Sequence, residues 1–480
     1  MTDRIKGLFK DSVVYGFGGV AAKSLGFFLL PVYTRIFSPA DYGIIELLVV
    51  TGGGLAAVLV LGMDSAQSFF FFKEKKAGID AQAGVVTAIL QWRLLWGTVV
   101  VAGALLVSPI LNTRMFDGKL DSVFFLVVFL GILMSQLAGQ SAEVFRLLYR
   151  PWTYLGLTLG RTVLVAAFIL LLILGCGAGV FGYFAGGLAA SFLMAGVGWW
   201  IARSYLDFSR LHREKWPRFL KFSLPLVPRG LILFLMATTD RWCIAHFLAP
   251  EALGLYAVAA KFSMLMTLVV VTFRQALWPI ALDALQSADG PDFLRTTARF
   301  YLGLGSAGIV VLTAFSPFLV RLLTPAEYHQ AYPVIGILAW QPLFYGFSLI
   351  AAAGMWKVEK TGWSAFTMAF TAVLNVVLNI LLIPRLGING AALATAVSFL
   401  IWNLADLAVS EHFWPVRYPA GVLSLVLLIG VGAVGAILTL HQSMRSGWWV
   451  ALVTLGAVSC LSLLSFEKRY LGQILKKISP

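Results

Sequence analysis

Six cations set inside long apolar segments are the residues of this sequence best placed to do chemistry: Lys23, Arg93, Arg161, Arg229, Arg241 and Lys261. A charge surrounded by hydrocarbon is expensive, so it either forms an ion pair or faces a water-filled path along which something polar moves. On such a path Lys and Arg hold anionic groups through charge-assisted hydrogen bonds. Three carboxylates, Asp64, Asp240 and Asp406, fall in or near the same apolar segments. Each is a candidate to pair with a cation or to carry a coupling proton. Catalytic patterns do not appear: there is no Walker A or HExxH sequence, and Cys176, Cys243 and Cys460 are far apart with no CxxC or Cys/His spacing. No catalytic residue, zinc site, disulfide framework or bound cofactor is therefore expected. Gly177-Ala-Gly-Val-Phe-Gly182 spells GxGxxG but joins two apolar segments with no βαβ unit around it, so it is not read as a nucleotide site.

The elements that must position these charges follow from composition. Of 480 residues, 60% are hydrophobic and 12% charged, with a formal net charge of +14. An ordinary soluble domain is about 25% charged. Apolar runs long enough to cross about 30 Å of hydrocarbon recur from end to end. The sequence predicts an all-α polytopic membrane protein of about 14 spans, near residues 12–33, 42–68, 85–108, 122–142, 154–174, 180–201, 222–247, 254–273, 300–323, 332–356, 364–383, 389–409, 420–440 and 447–466. The basic N-terminus runs into the first apolar stretch without a small-residue cleavage site, so that stretch is expected to be retained as a span. With the N-terminus inside, twenty-four Lys and Arg fall on inside connections and six on outside ones. This asymmetry predicts cytoplasmic termini and assigns the basic excess to membrane topology, not to nucleic acid. The longest connections, near 202–221 and 274–299, read as amphipathic cytoplasmic linkers.

The chain also matches itself at an offset of about 207–211 residues. Phe37-Ser-Pro-Ala-Asp-Tyr-Gly43 lies over Leu248-Ala-Pro-Glu-Ala-Leu-Gly254, and Gly179-Val-Phe-Gly182 over Gly387-Ile-Asn-Gly390. The shift covers six spans, an even number, so the two copies are expected to run in the same direction. The organisation read from this is a six-helix lobe at 1–201, a linker at 202–221, a second six-helix lobe at 222–409, and two further helices with a basic tail at 410–480.

Depth separates the candidates. Lys23 lies near the midpoint of the first span, roughly 16 Å from either end at about 1.5 Å per residue, where snorkelling reaches poorly. Arg161 and Arg229 sit nearer the cytoplasmic ends, where a long side chain can curl back to the interface, and Arg93 is slightly deeper. Asp240 and Lys261 are equidistant from a bend centred between Pro250 and Glu251, which predicts a salt bridge and leaves Arg241 as the spare cation. Asn375 and Asn379, at i and i+4, are expected to join helices through hydrogen bonds.

Four segments carry a likeness: Gly26-Phe-Phe-Leu-Leu-Pro-Val-Tyr-Thr-Arg-Ile-Phe-Ser-Pro-Ala-Asp-Tyr-Gly43, Leu224-Pro-Leu-Val-Pro228, Thr239-Asp-Arg-Trp242 and Leu374-Asn-Val-Val-Leu-Asn-Ile-Leu-Leu-Ile-Pro384. In that order they resemble the polysaccharide transporter, or oligosaccharide flippase, family of the multidrug/oligosaccharidyl-lipid/polysaccharide exporter superfamily. The likeness covers about residues 10–410. It implies a V-shaped bundle of two lobes around a central cavity. It also implies alternating-access movement of an undecaprenyl-diphosphate-linked oligosaccharide to the outer leaflet of a bacterial inner membrane, for assembly of O-antigen, capsule or exopolysaccharide. The partners implied are that lipid-linked oligosaccharide, membrane lipids, and a glycan polymerase and glycosyltransferases. Coupling would be to H⁺ or Na⁺.

On this reading Lys23, with Arg241, Arg93, Arg161 and Arg229, makes the cavity cationic for the diphosphate. At an offset of 211, Lys23 falls on Phe234, Arg229 on Gly18 and Arg241 on Leu30. The scaffold is duplicated and its buried cations are not, as an asymmetric ligand requires. A cation-coupled multidrug extruder of the same fold is the alternative, disfavoured by Lys23 where a carboxylate would serve a cationic drug. A membrane glycan polymerase or ligase is a third reading, disfavoured by short outer connections.

Overall fold

Ser38 opens the first long helix. Its hydroxyl accepts the Asp41 N–H at 3.2 Å, and the Asp41 carboxylate accepts the Ser38 N–H at 3.2 Å. This reciprocal cap, with Pro39 at the first helical position, is what the Ser-Pro-Ala-Asp sequence encodes. The computed structural model describes residues 25–209, 211–442 and 456. Lys23, Arg210, Cys460, most of the first expected span and all of the expected 447–466 span except residue 456 lie outside the described residues.

The chain forms two units, Met1–Phe234 and Leu235–Pro480. In the first, α1 is Leu30–Ile36, α2 Pro39–Val60, α3 Met63–Lys73, α4 Ile79–Met115, α5 Ser122–Leu147, α6 Pro151–Leu170, α7 Gly179–Ile201 and α8 Trp216–Ser223. A single helix, α9 at Val227–Phe247, carries the chain from one unit into the next. The second unit continues with α10 at Pro250–Gln286, α11 at Gly290–Leu323, α12 at Tyr332–Leu338, α13 at Trp340–Ala351, α14 at Ala353–Lys357, α15 at Gly362–Phe413 and α16 at Ala420–Gln442. No strand occurs among the described residues, and eleven helical segments there are long and apolar enough to cross a membrane. The all-α polytopic class stands.

Two breaks differ in kind. The expected 42–68 span is two helices, because Leu61 (φ 43°) and Gly62 (φ 70°) take left-handed backbone between α2 and α3. Gly62 is required there by close approach as well: a Cβ would lie 2.9 Å from the Ser223 carbonyl oxygen. In the 52-residue α15, Gly387 is non-helical (φ 59°, ψ −141°) three residues after Pro384, which restores the two spans expected near 364–383 and 389–409. Gly179 (φ 51°) starts α7 with the same left-handed glycine that Gly387 supplies in the second unit, so that pair of repeated segments has a backbone cause.

The amphipathic linker expected at 274–299 is absent. α10 runs to Gln286, α11 starts at Gly290, and only residues 287–289 connect them. Hydropathy marks the stretch inside lipid, whereas a 37-residue helix is about 56 Å long at 1.5 Å per residue. In the polar continuation Arg274 donates to the Tyr345 carbonyl and packs 4.4 Å from that ring's centroid, and Arg295 pairs with Asp292 one turn away.

The other linker is a strap on the first unit. Phe219 of α8 packs with Met63, Ala66 and Phe70 of α3 and with Val85, Ala88 and Ile89 of α4, while the Trp216 indole N–H donates to the Ala88 carbonyl at 2.9 Å. His212 is buried. Its backbone N–H donates to Gln91 at 2.9 Å, and its Nε2 lies 3.1 Å from the Asp207 carboxylate. Hydrogen bonds from Ser209 hold the half-buried Asp207 carboxyl below its ordinary range.

Candidate functional site

The first unit holds a cavity of about 750 Å³ walled by α3, α4, α5 and the start of α6. Arg93 of α4 lies near the middle of its helix and is only 3% exposed. One arm of its guanidinium pairs with the Asp64 carboxylate of α3; the other donates to the Gln136 carbonyl of α5 at 2.9 Å. Asp64 is 53% exposed. One side of the pair is thus locked in protein and the other opens on the cavity.

The α5 wall is a polar stripe. Gln136, Gln140 and Glu143 recur at helical spacing, and Arg146 follows at i+3. Arg146 Nε donates to Glu143 Oε1 at 3.0 Å. Gln140 donates to buried Gln67 at 2.9 Å, which leaves the buried Gln140 Oε1 without a hydrogen-bond partner among the described residues. Phe69, Phe72 and Tyr154 complete the wall with ring surface. The arrangement is two ion pairs, unsaturated amides and aromatic faces, a composition that holds a hydrated polar molecule.

A second polar cluster lies in the second unit and centres on a buried carboxylate. Asp240, 1% exposed, accepts from the Arg241 side chain at 2.9 Å, from the Tyr256 hydroxyl and from Thr395 at 3.3 Å. Asn375 donates to Ser398 at 3.2 Å across the Gly387 break and so joins the halves of α15, whereas Asn379 donates to the Asn375 carbonyl at 2.8 Å within its own half. Asp406, fully buried, accepts from Thr367 and, at 3.5 Å, from Ser364.

Residues 8–283 match the family model described as polysaccharide biosynthesis protein. The chain belongs to that family. It is a family of polysaccharide transporters and flippases within the same superfamily as the multidrug extruders, and a MatE model matches residues 225–381. The chain is 24% identical over 58% of its length to the Lsg locus putative protein 1 of Haemophilus influenzae, covering 67% of that protein. It is 29% identical to the probable low-salt glycan biosynthesis flippase Agl15 of Haloferax volcanii over 23% of each chain. Among solved structures, lipid II flippase MurJ in an inward closed conformation aligns with TM-score 0.73 at 16% identity over 96% of this chain and 99% of that one. An inward-facing multidrug resistance MATE transporter aligns with TM-score 0.63 at 12% identity over 81% and 94%. At these identities the structures establish a shared fold.

Against this family frame, the structure distributes the cations singled out in the sequence. Arg93 lines the cavity. Arg161 does not; it donates to the Ser135 hydroxyl and, at 3.4 Å, to its carbonyl. Arg229 is exposed on α9 and forms no ion pair among the described residues. Arg241 is paired with Asp240, not spare. The expected Asp240–Lys261 bridge is absent, and half-buried Lys261 forms no ion pair among the described residues. The reason is register: α9 ends at Phe247 and α10 begins at Pro250, so the bend is centred on 248–249 and residue 257, not 261, is level with Asp240. Tyr256 takes that position. Gln136, Gln140, Glu143, Arg146 and Tyr154 were not expected, since Arg146 read as a loop charge beyond a span ending at 142, whereas α5 runs to Leu147.

Proposed function

We propose that the protein is a flippase that moves an undecaprenyl-diphosphate-linked oligosaccharide from the cytoplasmic to the outer leaflet of a bacterial inner membrane, by alternating access. The observation that carries this reading is the polar cavity inside an apolar helical lobe, with an arginine 3% exposed at its wall. A membrane bundle bears the cost of such a hollow only where a polar group must pass through it, and the volume falls in the ordinary range for a bound headgroup. Surface polysaccharide assembly fits the family to which the chain belongs. In this reading both termini are cytoplasmic, the cargo comes from glycosyltransferases and passes to a glycan polymerase, and an H⁺ or Na⁺ gradient drives the cycle through Asp64 or Asp406. Of the five candidates, Lys23, Arg161 and Arg229 are left to hold the diphosphate, because Arg93 and Arg241 already have carboxylate partners.

The test is complementation in a cell whose surface glycan depends on this gene, with membrane abundance measured in parallel. Arg93→Gln at normal abundance is expected to lower surface glycan at least tenfold, as are Lys23→Ala and the Arg229→Ala, Lys23→Ala double variant. Full export in all three sinks the reading. Extrusion of cationic drugs is the second reading, favoured by the half-exposed Asp64 and by the fold shared with MATE transporters. It predicts drug sensitivity on gene deletion with surface glycan unchanged.

A further inference from the structure

The first-unit cavity contains cations and yet carries no net charge. Its ionised side chains are Asp64, Arg93, Glu143 and Arg146, two of each sign, already matched as Arg93 with Asp64 and Arg146 with Glu143. A diphosphate entering this space would have to displace Asp64 from Arg93 and then share the cavity with the displaced carboxylate. Like charges so placed repel, and little water is available to screen them. A hydroxyl meets no such obstacle, because it donates to a carboxylate and accepts from a guanidinium without breaking either pair. The rest of the wall has the same bias. Ser68 adds a hydroxyl 3.5 Å from Glu143, a neutral donor and acceptor at the cavity wall. Phe69 and Phe72 offer half-exposed ring faces on which the C–H face of a sugar ring packs and a phosphate gains nothing.

We infer that this cavity seats the uncharged, hydroxyl-rich sugar end of the cargo and that the diphosphate is held outside it. The inference rests on the flippase reading and divides the headgroup between two places. Asp64 and Glu143 then act as specificity residues: by neutralising the cavity arginines they admit polyols and reject bare phosphates.

The test uses the full chain in lipid nanodiscs with its three cysteines replaced by Ser and Gly139→Cys added. Gly139 lines the cavity, and a Cβ there meets nothing within 4 Å. Maleimide labelling is timed with two probes: the oligosaccharide released by mild acid from the host's lipid-linked fraction, and inorganic pyrophosphate. The oligosaccharide is expected to slow labelling at least tenfold and pyrophosphate less than twofold. Pyrophosphate protecting as well as the oligosaccharide, or no protection by the oligosaccharide, overturns the inference. Asp64→Asn is expected to invert the preference, with pyrophosphate now protecting because Arg93 is uncompensated. Glu143→Gln, at the more exposed pair, is expected to do so more weakly if the first variant accumulates poorly, and no gain of pyrophosphate protection in a folded variant counts against the proposal. Gly139→Trp separates this failure from failure of the parent reading. Normal export with the cavity filled removes the cavity from transport altogether. Lost export together with protection by pyrophosphate leaves the flippase standing and rejects only the division of the headgroup.

Discussion

Each unit of the molecule contains a buried arginine joined to an aspartate, and the two pairs are built for opposite ends. Arg241 and Asp240 are neighbours in sequence on α9, 14% and 1% exposed, and the carboxylate is further bound by Tyr256 and Thr395. Every acceptor position faces a donor, so the cluster ties α9 to α10 and α15. Arg93 and Asp64 come from different helices, 29 residues apart, and the carboxylate is 53% exposed on a cavity. A closed network is a clamp whose loss is felt as instability. A pair open on one side tolerates exchange of partners and is felt in what the cavity accepts.

The comparison breaks most sharply at Asp240. Replacing it with Asn leaves Arg241 buried without its counterion and weakens two hydroxyl contacts at once, a loss of about 3–5 kcal/mol by analogy with broken buried pairs. Asp240→Asn is expected to lower membrane abundance severely and to reduce thermal stability in detergent by the largest margin of any single variant here. Asp64→Asn also removes the counterion of a buried arginine, but its amide oxygen can still accept from Arg93 and the cavity side hydrates it, so a smaller loss of about 1–3 kcal/mol is expected. Similar melting behaviour in the two variants would erase the distinction between clamp and exchangeable pair.

Arg93→Gln comes next. Its removal leaves Asp64 able to hydrate in the cavity, so stability should fall by about 1–2 kcal/mol, the scale of lost hydrogen bonds to a charged group. Export should fall much further than abundance does. Parallel loss of the two would show that Arg93 is also a clamp.

Thr367→Val probes a third carboxylate, Asp406, by removing a hydroxyl donor without changing side-chain volume much. About 1 kcal/mol is expected from the lost hydrogen bond, with Thr367→Ser restoring it. A full-stability valine variant would mean that Asp406 is held by its other neighbours alone.

How much of this was legible in the sequence follows from the range of the interactions. Spans, helix starts at Pro39 and Pro250, and the Gly387 break are local, and hydropathy, proline and glycine report them within a few residues. The intramembrane position of Arg93, Asp64 and Asp240 was visible for the same reason. Partnership was not: Gln67 meets Gln140 across 73 residues and Asp240 meets Thr395 across 155, distances over which periodicity carries no register. One feature was within reach. Gln136, Gln140, Glu143 and Arg146 form a helical stripe of polar residues, obscured because a hydropathy window ends α5 at the first charge although the helix continues to Leu147.

The smallest expected effect tests the register that decides where Asp240 finds its partners. Were the bend centred between Pro250 and Glu251, Lys261 would lie level with Asp240 and the two would be coupled; with the bend at 248–249, Lys261 sits about four residues, or roughly 6 Å, further along α10. It is half-buried, and its charge makes no ion pair among the described residues. Lys261→Gln keeps the length of the stem and removes the charge, so stability should change by less than about 0.5 kcal/mol, the range of substitutions away from networks. A double-mutant cycle with Asp240→Glu, which retains the carboxylate and shifts it, should give a coupling energy within about 0.5 kcal/mol of zero, as independent sites do. A coupling above about 1 kcal/mol would restore the Asp240–Lys261 bridge. It would also demote Tyr256 from ligand to bystander and make the second unit's cluster less closed than the comparison requires.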